Sequence, residues 1–177
     1  MSYAHRPRRQ PILGPMSQVW SEGNSVSPRS YWIGVASKSH VDVGVAGGFA
    51  QLSHGRAGPL ERMRPGDGLA YYSPRTDYPN GEPLQSFTAI GRVAAGEIFQ
   101  AQGEAMKPFR RVVEYLPSRA APIKPLIGEL SFIRSKEHWG AAFRFGFLRV
   151  PERDFARIAA AMGRDFARDF GSGSDST

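Results

Sequence analysis

The sequence predicts an α+β fold with a small, strongly bent sheet or barrel at its core. Three observations carry that expectation. Five or six short apolar runs are rich in β-forming residues. Turn signals separate them, with 20 glycines and 14 prolines in 177 residues. Only one stretch, near the C-terminus, keeps a helical period, so few long helices exist to cross between parallel strands.

The elements follow in chain order. Residues 1–30 read as an unfolded leader, with four prolines, the cluster Arg6-Pro7-Arg8-Arg9 and no sustained period. Tyr31-Trp32-Ile33-Gly34-Val35-Ala36 is the first strand. Ser37-Lys38-Ser39-His40 ends it, and Val41, Val43 and Val45 fit a short helix or a further extended stretch. Phe49-Ala50-Gln51-Leu52 is a brief strand closed by Ser53-His54-Gly55-Arg56. Residues 59–63 fit one helical turn with Pro59 first.

Pro65-Gly66-Asp67-Gly68 is a tight turn feeding the strand Leu69-Ala70-Tyr71-Tyr72-Ser73. Leu69, Tyr71 and Ser73 share one side, Ala70 and Tyr72 the other. Pro74 has no N–H, so the ladder must open there or lie at an edge. Residues 84–95 form the longest strand, in which Gly91 signals a bulge or a close backbone approach. Residues 107–116 form another, with Phe109 and Val113 inward and Arg110 and Glu114 outward. Residues 117–125 are loop, 127–133 a short helix running into a turn, and 143–150 the last strand. Residues 151–162 are a helix: Pro151 starts it, Glu152 and Asp154 complement its dipole, and Phe155, Ile158, Ala159 and Met162 form its buried stripe. Gly163 stops it, and residues 164–177 are expected to be a flexible tail. The folded domain is thus residues 31–163.

Composition narrows the function. The chain carries no cysteine, which removes disulfides, thiol nucleophiles and thiolate zinc sites and suits a cytoplasmic protein. No apolar run approaches the ~20 residues that span a bilayer, and no apolar segment follows the N-terminal arginines, so neither a membrane partner nor a secretory signal is expected. The net charge of +7 comes mostly from arginine and persists within residues 31–163, which favours polyanionic partners, above all nucleic acid.

Catalytic templates fail in turn. The chain has no G-x-S-x-G, Walker lysine loop, H-E-x-x-H or EF-hand pattern. His40, His54 and His138 lack ligand spacing, and Asp42, Asp67 and Asp77 read as turn or cap residues. No cofactor, metal or catalytic residue is expected. What recurs is an aromatic beside cations and small polar groups. Trp32 precedes Lys38; Phe49 and Gln51 precede His54 and Arg56; Tyr72 adjoins Ser73 and Arg75; Phe132 adjoins Arg134 and Lys136; Trp139 lies near Arg144. An unstacked base needs aromatic faces, hydrogen bonds at its edge and cations for its phosphates. Trp32, Tyr72, Phe132 and Trp139 are therefore expected to converge on one cavity, with Ser73 and His54 at its rim. Arg56, Arg75, Arg134, Lys136 and Arg144 are the candidate phosphate contacts. Each aromatic taken alone also fits a core position.

Several stretches taken together carry a resemblance. They are Tyr31-Trp32-Ile33-Gly34-Val35-Ala36-Ser37-Lys38, Gly47-Gly48-Phe49-Ala50-Gln51-Leu52-Ser53-His54-Gly55-Arg56, Met63-Arg64-Pro65-Gly66-Asp67, Tyr71-Tyr72-Ser73-Pro74-Arg75-Thr76, Gln85-Ser86-Phe87-Thr88-Ala89-Ile90-Gly91, Leu130-Ser131-Phe132-Ile133 and His138-Trp139-Gly140. In this order they resemble the bacterial EVE-domain proteins, of the PUA-like superfamily and near the YTH domains that read methylated adenine in RNA. The resemblance implies a compact PUA-like β-barrel flanked by short helices. It also implies a pocket for a flipped, modified base, with modified cytosine in DNA favoured. By that analogy Trp32, Ser37 and Lys38 form one wall, Tyr72, Ser73 and Pro74 another, His54 and Gly55 the floor, and Phe132 and Trp139 close the cage. Leu52-Ser53 and Arg56 depart from the relatives' Val/Leu-Cys and Lys; Arg56 keeps the charge but not the lysine geometry. The expected function is a noncatalytic module that binds nucleic acid, modified DNA or RNA. Two alternatives stand beside it: an enzyme acting on a modified nucleobase or nucleotide in the same pocket, and an RNA-binding accessory protein indifferent to modification.

Overall fold

The computed structural model describes residues 28–103 and 105–171. The leader expected over residues 1–30 lies outside the described residues, save Pro28, Arg29 and Ser30. The last two are tied to the domain. Ser30 N donates to Asp67 Oδ1 at 2.9 Å, and Arg29 Nη1 donates to the carbonyls of Phe170 and Gly171 at 2.7 and 3.0 Å.

The scaffold is a curled mixed sheet. Its strands are β1 (Tyr31–Val35), β2 (Phe49–Ala50), β3 (Gly68–Arg75), β4 (Pro83–Val93), β5 (Phe99–Gln100), β6 (Phe109–Tyr115), β7 (Ala121–Pro122) and β8 (Phe147–Val150). Their order is β2-β6-β4-β3-β1-β8, with β5 on β6 and β7 on β4. Among the described residues only the pair β1–β3 is parallel; the other pairs are antiparallel. Four helices flank the sheet: α1 (Lys38–Gly47), α2 (Ala57–Glu61), α3 (Glu152–Ala161) and α4 (Phe166–Phe170). No helix of the described residues is long and apolar enough to cross a membrane.

Strand periodicity divides the interior in two. Tyr31, Ile33, Ala70, Tyr72, Phe87 and Ile90 pack with Phe155, Ile158, Ala159 and Met162 of α3 in a first core. Their neighbours Trp32, Leu69, Tyr71, Ala89 and Phe147 point the other way. There they pack with Val41 of α1, Leu60 of α2 and Val113 of β6 in a second core. Two bonds from buried phenols tie this second face together: Tyr71 donates to the Gln51 carbonyl at 3.1 Å and Tyr115 to the Phe49 carbonyl at 3.0 Å. Burial raises both phenols above the usual tyrosine range, so they remain neutral donors.

The long β4 matches its expected run. Gly91 has a close approach as its reason: a Cβ there would lie 2.5 Å from the Glu114 carbonyl oxygen of β6. Pro74 does open the ladder. The β3–β4 register shifts between Ser73 and Arg75, opposite a left-handed Gln85 (φ 49°).

Elsewhere the local reading gives way to tertiary context. The open choice after Ser37 resolves as α1, ended by a left-handed Gly48 whose N–H bonds the Gly44 and Val45 carbonyls. The turn expected at 59–63 starts two residues earlier, with Pro59 third, where a helix has no intrahelical N–H bond to lose. Residues 127–133 form turns rather than a helix, after a short 3₁₀ turn at Lys124–Leu126. The last strand is half the expected length. Left-handed Gly146 (φ 74°) divides it from the 3₁₀ turn Trp139–Phe143. Residues 166–170, expected as tail, form α4; Asp165 caps it by accepting from Arg168 N at 3.1 Å, and Phe170 is buried against Phe155.

Candidate functional site

The parallel strands β1 and β3 end side by side, and three segments meet there. Ala36 N bonds the Tyr72 carbonyl at 3.2 Å, Ser39 N the Thr76 carbonyl at 2.9 Å, and Val35 N the Gly146 carbonyl at 2.9 Å. The start of α1, the loop after β3 and the turn before β8 therefore share one end of the sheet. Ser39 Oγ donates to Asp77 Oδ1 at 2.6 Å, and that bond, with a second from Tyr78 N, holds the Asp77 carboxyl below its ordinary value. Lys38 is folded along α1 onto Asp42, with 2.6 Å between Nζ and Oδ2.

Beside this junction lies an aromatic cluster centred on Phe143. Tyr72 stacks on it with ring centroids 4.0 Å apart, while Phe132, Trp139 and Phe87 meet it edge-on at 5.9, 6.4 and 6.5 Å. Tyr72 and Trp139 cross almost perpendicularly at 6.4 Å. Tyr72 and Phe143 are buried, whereas Phe132 and Trp139 keep part of their rings in solvent. Burial pushes the Tyr72 phenol up to about 12, so it too stays neutral. Sequence reasoning misses Phe87 and, at the cluster's centre, Phe143 as members. The apolar surroundings of Phe143 in the chain read as strand, and the only signal against that is Gly146 three residues later.

Phe132 owes its position to a second residue whose role is hidden in the sequence. Asp154 is fully buried in α3, and its Oδ2 accepts from Ser131 Oγ at 2.8 Å and Phe132 N at 3.0 Å. Sequence alone makes it a first-turn acid; the fold also makes it the clamp on the turn that presents Phe132. Around the cluster, Arg134, Lys136 and Arg144 are exposed, and among the described residues none has a side-chain hydrogen bond or ion pair. Arg75 is exposed too but pins its own loop, donating to the Gly81 carbonyl at 2.9 Å.

The remaining expected site residues fall in two places. Ser37 and Pro74 lie at the strand-end junction, Ser37 as the N-cap of α1 with its hydroxyl 3.1 Å from Ser39 Oγ. Ser73 is fully buried with its hydroxyl 2.7 Å from Thr88 Oγ1. Trp32, His54, Gly55 and Arg56 belong to the second-core side. Trp32 is 4% exposed, stacks on Phe147 and donates its indole N–H to Asp67 Oδ2 at 2.8 Å. The structure thus does not bring Trp32 together with Tyr72, Phe132 and Trp139, because Trp32 and Tyr72 point to opposite faces of the sheet.

His54 sits in a left-handed run, Ser53-His54-Gly55, with φ of 47°, 59° and 80°. A Cβ on Gly55 would lie 2.4 Å from the Pro108 ring, so this loop is wedged on the start of β6, away from the cluster. Among the described residues no group of three His, Cys, Asp or Glu side chains is placed to hold a metal.

Of the cage that the resemblance implies, the structure brings Tyr72, Phe132 and Trp139 together and leaves Trp32, His54 and Gly55 apart from them; comparison with known proteins decides the family. The EVE-domain family model matches residues 30–161. The chain belongs to the EVE-domain family. Among its relatives are UPF0310 protein msl3206 of Mesorhizobium japonicum, 48% identical over 137 residues covering 76% of this chain and 92% of that one, and UPF0310 protein YdcG of Bacillus subtilis, 45% identical over 135 residues with the same coverage. Among solved structures it is similar to the NMR structure of Rpa0253 from Rhodopseudomonas palustris, with TM-score 0.49, 16% identity and coverage of 76% of this chain and 93% of that one. The crystal structure of Atu2648 from Agrobacterium tumefaciens gives TM-score 0.48, 15% identity and coverage of 84% and 99%.

Proposed function

We propose that this EVE domain is a noncatalytic nucleic-acid-binding module that receives an unstacked, modified base at the aromatic cluster, with modified cytosine in DNA the favoured ligand. The observation that carries the reading is the pair Phe132 and Trp139, partly exposed and backed by buried Tyr72 and Phe143, with exposed Arg134, Lys136 and Arg144 near them in the chain and without a polar partner among the described residues. Phe143 already occupies one face of Tyr72, so the base stacks on the solvent side of Trp139 rather than on Tyr72. Such a stack contributes about 1–3 kcal/mol whatever the base. Selectivity comes from hydrogen bonds at the rim, for which the start of α1 at Ser37 and Lys38 supplies donors. The cations take the flanking phosphates.

The test is a binding screen of short oligonucleotides, DNA and RNA, that differ only in one modified base. The proposal expects one modified base to bind more tightly than its unmodified counterpart. Equal affinity across the whole set would overturn it.

A further inference from the structure

The face opposite the cluster carries a second arrangement that suits anions. Trp32 and Arg149 lie directly across from each other in the β1–β8 register, as do Gly34 and Phe147, so all four face one side. Leu52 and Tyr71 fill the space beside Gly34, where a Cβ would lie 2.6 and 2.8 Å from them, and Trp32 and Phe147 stack with centroids 4.9 Å apart and planes 11° apart. Arg62, the residue that ends α2, lays its guanidinium 5.2 Å from the Trp32 ring centre and 5.5 Å from that of Phe147. Arg149 lies 6.0 Å from the Trp32 ring centre. Both arginines are exposed, and among the described residues neither guanidinium has a hydrogen bond or ion pair.

We infer that Arg62 and Arg149, held on the Trp32–Phe147 stack, form a phosphodiester-binding platform for the backbone of a bound nucleic acid. A guanidinium on an aromatic ring is held by its charge and its face, which leaves its planar N–H fork free for phosphate oxygens. The ring itself is fixed, because Asp67 accepts the indole N–H while also bonding Ser30 N and Arg64 N. Fixed rings and stacked arginines reduce the ordering cost of binding. Two cations at one indole also repel each other until an anion bridges them.

The platform and the cluster face opposite sides of the sheet but lie near one edge of it. Arg149 lies three residues along β8 from Gly146, roughly 10 Å at strand rise, and Gly146 closes the turn that carries Phe143 and Arg144. β8 is the end strand of the sheet, so a polymer that reaches from the cluster to the platform crosses a single edge strand. The inference rests on the proposed function for the identity of the polymer, not for the chemistry of the platform.

The probe is an abasic deoxyribose-phosphate oligomer, which has phosphates but no base to place. Titrated at low salt into the parent protein, it should shift the NMR signals of the Trp32 indole N–H and of the Arg62 and Arg149 side chains. The Arg62→Gln, Arg149→Gln double variant should bind the oligomer about tenfold more weakly. Its plot of log affinity against log salt should be shallower by about 1.4, the value for two single-strand phosphate contacts. Arg62→Lys with Arg149→Lys should keep the salt slope, since the charges remain. Unmoved Trp32 and arginine signals in the parent, or a glutamine variant with the parental slope, would overturn the platform; the parent titration decides alone if the glutamine variant fails to fold. Failure of base reading would leave this titration unchanged, and failure of the platform would leave the modified-to-unmodified affinity ratio unchanged.

Discussion

Trp32 and Trp139 share a local signature, an indole near cations and small polar residues, and end in opposite circumstances. Trp32 is 4% exposed, stacked on Phe147, with its N–H bonded to a buried carboxylate. Trp139 is half-buried, meets its neighbours only edge-on, and has no polar partner for its N–H among the described residues. The first is a structural anchor, and the second leaves part of its surface to solvent. The difference is one of strand phase and turn position, not of composition. Adjacent strand residues face opposite sides, so Trp32 and Tyr72 part even though both lie in paired strands.

The contrast can be broken hardest at Asp67. Asp67→Ala removes the acceptor of Trp32 Nε1, Ser30 N and Arg64 N and strands a buried indole N–H. The expected loss is about 3 kcal/mol or more, a fall in melting temperature of roughly 6–12 °C for a domain of this size, read by thermal denaturation. The affinity ratio between modified and unmodified oligonucleotides should survive in the folded fraction.

Asp67 also marks the limit of what is legible in the sequence. Strands, faces and the α3 stripe follow from residue periodicity, and the ordered set of motifs is enough to point to the EVE family. The Pro65-Gly66-Asp67-Gly68 turn is readable as a turn because proline and glycine fix local backbone angles. That Asp67 reaches Trp32, 35 residues away, is not, since no local rule pairs a turn carboxylate with a distant indole. The same holds for the clamp of Asp154 on Phe132 and for Phe143 as the cluster's centre. Each depends on where a loop returns, which is set by the two cores together. α4 escapes a reading from sequence because five residues show too little of a helical period.

At Trp139 the balance should reverse. Trp139→Ala should weaken binding of the preferred oligonucleotide by ten-fold to a hundred-fold, the worth of one base stack at about 1–3 kcal/mol. Its stability loss should be smaller than the about 3–5 kcal/mol expected for Trp32→Ala in the second core. Calorimetry for affinity and melting curves for stability, on both variants, check the crossing pattern.

A smaller effect separates the C-terminal segment from both faces. Burial of Asp169 raises its carboxyl, but bonds from Arg164 Nε at 2.8 Å and Arg168 Nε at 3.3 Å outweigh it and hold the group below its ordinary 3.8. Its stabilisation is therefore complete above that ordinary value and is lost as pH falls through the lower folded one. Melting temperature should fall with acidification through this window, and Asp169→Asn should flatten that limb while lowering stability near neutrality by on the order of 1–3 kcal/mol. An acid limb unaltered in the variant would place the dependence on other carboxylates.

The most direct measurement is the affinity ratio for two oligonucleotides identical except for one modified cytosine, taken for the parent chain and for Trp139→Ala under the same salt. A base read at the aromatic cluster predicts a ratio well above one in the parent that collapses towards one in the variant, with residual binding carried by phosphate contacts. A parent ratio of one for every modification tried, or a ratio left intact in a folded Trp139→Ala, would contradict base reading at this cluster.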